Sequence, residues 1–94
     1  MNRLNGSLDP WSRKGKWVAD LGCGSGHYTF ALAELVGPEG KVYAVDLGKN
    51  CIRGIQKKSK KRGYHNIEAR TSSAADLSFI KDRSVDFVLA NGLL

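Results

Sequence analysis

Apolar residues along the chain fall into short dense runs that alternate with stretches of longer, helical period. Lys16 to Leu21 (KWVADL) is short and mostly apolar, follows a polar, turn-rich leader, and predicts a β-strand. Glycines at 22, 24 and 26 break it. From His27 to Val36, the residues Phe30, Leu32, Ala33, Leu35 and Val36 predict a helix with a broad apolar side. Gly37-Pro38-Glu39-Gly40 ends it, as Gly and Pro just past a helix terminus do. Lys41 to Leu47 (KVYAVDL) reads as a second strand. Lys49 to Arg62 reads as a helix with Ile52 and Ile55 toward the core, closing at Gly63. Asn66 to Arg70 (NIEAR) is a weaker third strand, alternating as an edge strand does, and 71–84 is expected to be loop with at most one helical turn. Val85 to Ala90 (VDFVLA) is the fourth strand, apolar on both faces. Strands that alternate with helices and are apolar on both sides predict an α/β fold around a parallel sheet.

Length and composition narrow the class. A chain of 94 residues holds one small domain of marginal stability. Hydrophobic residues at 41% and charged residues at 26% suit a globular chain. No apolar run approaches the roughly 20 residues of a bilayer crossing, and no membrane partner is expected. The opening MNRLNGSLDPW has neither the apolar core nor the cleavage site of a signal peptide, so a cytoplasmic location is expected. Residues 1–15 read as a leader and 16–94 as a single, partial domain. Cys23 and Cys51 form no disulfide framework, and their spacing from His27 and His65 makes no zinc site; reduced thiols are expected and no metal.

The net charge of +6 raises a nucleic-acid partner, but much of it comes from KNCIRGIQKKSKKR, Lys49 to Arg62. Cations toward a helix C-terminus complement its dipole, so a solvated helix end is the preferred explanation. No aromatic residue interleaves with the run as a base-stacking surface requires, and nucleic acid is not favoured.

The chemistry gathers in VADLGCGSG, Val18 to Gly26, between a strand and a helix. Gly22, Gly24 and Gly26 let the backbone turn sharply and approach a ligand closely. The next helix aims its N-terminal amides at that place, which in an open parallel sheet is where ligands bind. A dinucleotide motif wants G-x-G-x-x-G, and His27 stands where its third glycine belongs. Asp20, two residues before the first glycine, would repel a pyrophosphate. It suits a ligand bearing an ammonium group, or a loop whose amides need tying down. S-adenosylmethionine carries an ammonium, a sulfonium and no phosphate. Asp46, about two dozen residues past Gly22, ends the second strand, where a carboxylate can accept hydrogen bonds from both ribose hydroxyls.

Taken with the connector VGPEGKVYAVD and the later AADLSFIKDRSVDFVLANGLL, the turn resembles the class I S-adenosylmethionine-dependent methyltransferases. It is most similar to the group containing ubiquinone-biosynthesis and arsenite methyltransferases. The resemblance implies a Rossmann-like three-layer methyltransferase fold, of whose seven strands this chain supplies the first four. It implies that Asp20 orders the turn near the methionine end of the cofactor. Gly22, Gly24 and Gly26 would pass beneath the cofactor with Cys23 among them, Asp46 would hold the ribose, and Leu47 would pack on adenine. Relatives commonly bind the adenine amino group with an Asp where this chain has Ser73, so Ser73 and Ala74 are expected to do so through the Ser73 hydroxyl. Asn91 falls at the family's usual active-site edge, but the following Gly-Leu-Leu identifies no acceptor. Catalytic residues stay unassigned and a small-molecule acceptor is expected. Two helices on one sheet face would leave the other face almost uncovered and 85–90 an exposed apolar edge, which points to a homo-oligomer or a partner chain at that strand. The rival functions are a non-catalytic cofactor-binding module completed by a partner and an NAD-binding dehydrogenase domain, the latter disfavoured by Asp20 and His27.

Overall fold

Two strand–helix repeats and two further strands form within residues 13–72 and 85–90, the part of the chain that the computed structural model describes. β1 (Trp17–Leu21) leads through α1 (His27–Val36) to β2 (Lys41–Asp46), then through α2 (Lys49–Arg62) to β3 (Ile67–Thr71); β4 is Phe87–Ala90. The strands pair in parallel in the order β3-β2-β1-β4. This is a Rossmann-like α/β arrangement. Each helix ends where glycine permits it: the Gly37 amide (φ 72) donates to the Ala33 carbonyl, and Gly63 (φ 78) donates back to the last turn of α2. Asn66, expected within the third strand, instead precedes it, and its buried amide donates to the Ala33 and Gly37 carbonyls at the end of α1.

Successive crossovers in one direction place both helices on one face. Alternate residues of β1 and β2 meet them: Val18 and Val42 pack with Ala33 and Val36, and Ala44 packs with Cys23, Ile52 and Ile55. The described residues thus make two of the three expected layers. The opposite face departs from expectation. Ala19, Leu21, Tyr43 and Val45 are buried, with Trp17 and Val85 packed against them. Part of that cover comes from Lys41, whose ammonium lies 5.5 Å and 5.3 Å from the Trp17 and Tyr43 ring centroids while pairing with Glu68 at 3.2 Å. A lysine stem laid across two rings screens apolar surface while its charge stays wet.

β4 is an apolar strand with an open side. Phe87 and Val88 are 41% and 56% exposed, and no further described strand pairs beyond them. No described helix is long and apolar enough to cross a membrane.

Candidate cofactor site

The site forms at the carboxyl edge of β1 and β2. Leaving β1, the chain passes through three left-handed glycines, Gly22 (φ 74), Gly24 (φ 57) and Gly26 (φ 93), before α1 begins. The amides of Gly22 and Cys23 both donate to the Val45 carbonyl, at 2.7 Å and 3.0 Å, so the turn is bound to β2 as it starts.

The Asp46 carboxylate completes that attachment. Oδ2 accepts from the Gly24 amide at 2.9 Å and Oδ1 from the Gly48 amide at 2.8 Å. Its main-chain carbonyl accepts from Ser72 at 2.9 Å. A carboxylate offers about four acceptor positions. With one amide on each oxygen, each keeps capacity for a further donor. That remaining capacity, on a partly buried side chain beside an open backbone, suits a pair of neighbouring hydroxyls.

Asp20 occupies a different environment. Its strand position turns it toward α1, it is wholly buried at 0% exposure, and its Oδ2 accepts from the Thr29 hydroxyl at 2.7 Å. Burial and the bond to Thr29 suit the role of ordering the turn. The bond fastens β1 to the first turn of α1. Thr29, itself fully buried, was missed by sequence reasoning. The signal available was a threonine in the first helical turn, on the side that faces the strand.

The glycines also divide their work. A Cβ at Gly26 would lie 2.9 Å from Ile55 Cγ1 and 3.0 Å from Phe30 Cε2, so this glycine serves the close approach of the turn to α2. At Gly24 a Cβ would meet nothing within 4 Å. Its backbone borders open space, as a surface beneath a ligand must. Cys23 belongs to the core with Ala44, Ile52, Ile55 and Ala69. Its thiol is pushed up to about 12, first by burial and then by the Asp20 and Asp46 carboxylates. It is therefore protonated near neutral pH.

Leu47 follows Asp46 and is 74% exposed, an apolar side chain held in solvent beside the open backbone. His27 and Tyr28 are exposed at the start of α1, their rings edge to face at 5.1 Å. Ser73, Ala74 and Asn91 lie outside the described residues. A cavity of about 680 Å³ sits at the opposite end of the strands among Lys14, Glu34, Pro38 and His65, away from all of these groups.

Residues 12–94 match the model of a family described as methyltransferase domain. The chain belongs to that family. A demethylmenaquinone methyltransferase of Geobacillus stearothermophilus is 45% identical over 76 residues, covering 81% of this chain and 32% of the relative. Among solved structures, a SAM-dependent methyltransferase from Aquifex aeolicus superposes with a TM-score of 0.73 at 34% identity, over 82% of this chain and 40% of that one. PKMT2 from Rickettsia typhi, in complex with AdoHcy, gives a TM-score of 0.71 at 28% identity, over 86% of this chain and 15% of its own. The methyltransferase domain spans about a third of the length of the curated relatives it matches.

Proposed function

We propose that this methyltransferase domain binds S-adenosylmethionine at the carboxyl edge of β1 and β2 and serves methyl transfer to a small, apolar acceptor of the demethylated quinone type. The carrying observation is Asp46: a carboxylate with unused acceptor capacity next to the open backbone of Gly24. In this reading Asp46 takes the ribose hydroxyls and Leu47 lies against the adenine. Gly22 and Gly24 form the floor, with Cys23 as core packing beneath it. Asp20 and Gly26 hold the turn in shape without touching the ligand. By family resemblance Ser73 and Ala74 meet the adenine edge and Asn91 stands toward the acceptor. When bound, S-adenosylmethionine supplies an electrophilic methyl group on its sulfonium. The chain's own contribution is orientation, since methyl transfer depends on in-line placement of acceptor and sulfonium. The quinone-type acceptor is taken from the demethylmenaquinone relatives. The exposed apolar edge of β4 pairs with a second copy of the chain or with a partner chain, and sedimentation as a stable folded monomer would refute pairing with a second copy.

Calorimetry tests the cofactor. S-adenosylmethionine and S-adenosylhomocysteine should both bind and NADH should not. Asp46→Ala should weaken both affinities at least tenfold, because hydrogen bonds to a charged acceptor contribute about 1.5–3 kcal/mol each. NADH binding at comparable affinity, or an unchanged affinity in folded Asp46→Ala, would defeat the proposal.

A further inference from the structure

The chain's excess positive charge is concentrated on α2. Against a net charge of +6 for the whole chain, this 14-residue helix carries seven lysines and arginines and no acid. It buries Ile52, Ile55 and Ser59 against the sheet. With about 3.6 residues per turn, Lys49, Arg53, Lys57, Lys60 and Lys61 fall within one arc of about 120° that covers the solvent-facing side of the helix, opposite that buried line. Gln56, at the border of the arc, donates to the Ala69 carbonyl at 3.0 Å, so the near edge of the arc adjoins β3, the strand at that end of the sheet. All five cations are exposed, and none forms an ion pair among the described residues; Glu68 is engaged by Lys41 and Arg70. The stripe runs roughly 18 Å along the helix. Beside it lies a shallow depression of about 550 Å³, with Arg53, Lys57, Lys60 and His65 around Ile67 and Ala69.

Like charges four residues apart on a helix repel, so this stripe weakens the isolated helix unless something outside neutralises it. We propose that the Lys49–Arg53–Lys57–Lys60–Lys61 stripe docks the protein on an anionic phospholipid surface. The charge is mostly lysine, on a convex helix, with no aromatic residue on the arc to stack against bases, which favours headgroups over nucleic acid. Half-buried Ile67, beside Arg53, Lys57 and Lys60, adds an apolar element at headgroup depth. The choice of a bilayer also rests on the proposed apolar, quinone-type acceptor, which partitions into one. This departs from the sequence expectation of no membrane partner, which rested on the lack of a spanning run; a peripheral contact needs none.

Co-sedimentation of the full chain with vesicles tests this without any acceptor present. Vesicles of mixed phosphatidylglycerol and phosphatidylcholine should retain the protein, phosphatidylcholine alone should not, and high salt should release it. Lys57→Gln combined with Lys61→Gln should lower partitioning about 25-fold, at about fivefold per charge near an anionic surface. The corresponding Lys→Arg pair should bind like the parent, and circular dichroism should show both variants folded. Equal retention by phosphatidylcholine alone, no retention by either vesicle, or tighter binding to single-stranded RNA than to the mixed vesicles would each overturn the proposal. Docking and acceptor fail separately: retention without methylation of a short-tailed quinol in detergent removes the acceptor and leaves the surface, and methylation without retention does the reverse.

Discussion

Replacing Thr29 by valine removes one donor and almost nothing else. The two side chains have nearly the same shape, Thr29 is fully buried, and its hydroxyl lies 2.7 Å from an Asp20 oxygen that water does not reach. A hydrogen bond to a charged partner contributes about 1.5–3 kcal/mol, and losing it leaves part of the carboxylate's desolvation uncompensated. In a domain of 60–100 residues each kcal/mol moves the melting midpoint by about 4–8 °C, so Thr29→Val should melt on the order of 10 °C or more below the parent. Thr29→Ser keeps the donor and loses one buried methyl group, about 0.8 kcal/mol, and should fall by only about 3–6 °C. Thermal unfolding followed by circular dichroism near neutral pH gives the order directly: parent, then serine, then valine. A valine variant that melts at or above the serine variant would refute the claim that Asp20 depends on this bond. Cofactor affinity of Thr29→Val, measured cold where it is still folded, should also drop, since the turn would be anchored less firmly to α1.

Gly24 and Gly26 should separate stability from binding. Gly26→Ala meets both a left-handed backbone and the Ile55 side chain, and should destabilise by more than the roughly 1–2 kcal/mol that the backbone conformation alone costs. Gly24→Ala meets only the backbone cost, and its methyl group should lower S-adenosylmethionine affinity more than its effect on the urea midpoint suggests. Cys23 should add a pH dependence of definite sign. Its thiol ionises near 9.0 in the unfolded chain and near 12 in the folded one, so its share of stability is intact below pH 9 and is lost as pH rises from there toward 12. Urea midpoints across that range should fall for the parent and less for Cys23→Ala. An alkylating reagent at neutral pH should modify exposed Cys51 before buried Cys23, as read by mass spectrometry.

Most of the fold was legible because the pattern changes period sharply and glycine marks each change. The expected limits of α1 and α2 are those observed, β1 and β2 differ at one end by a single residue, and β3 is shifted by one residue at both ends. β4 begins two residues later than Val85, because Asp86 instead accepts the Trp17 amide through its side chain at 2.8 Å. Legibility stopped where a residue's role depends on what faces it. Gly22, Gly24 and Gly26 look alike in one dimension; only Ile55, brought in by α2, distinguishes Gly26 as a packing glycine. Asp20 stayed open between ligand contact and ordering the turn while Asp46 read as the ribose carboxylate; one faces a helix and the other the sheet's edge. The second sheet face, expected to be nearly uncovered, is buried at Ala19, Leu21, Tyr43 and Val45, and the aromatic pair under Lys41 that contributes to this has no signature in spacing.

One residue connects three consecutive connections of the chain. Through its side chain and its carbonyl, Asp46 fastens Gly24 after β1, Gly48 after β2 and Ser72 after β3. These segments therefore cannot drift independently: lengthening any one of them disturbs the anchorage of its neighbours. A nucleoside that draws on the same carboxylate would stiffen the whole rim at once, and occupancy would register beyond β3 as readily as beside the glycines.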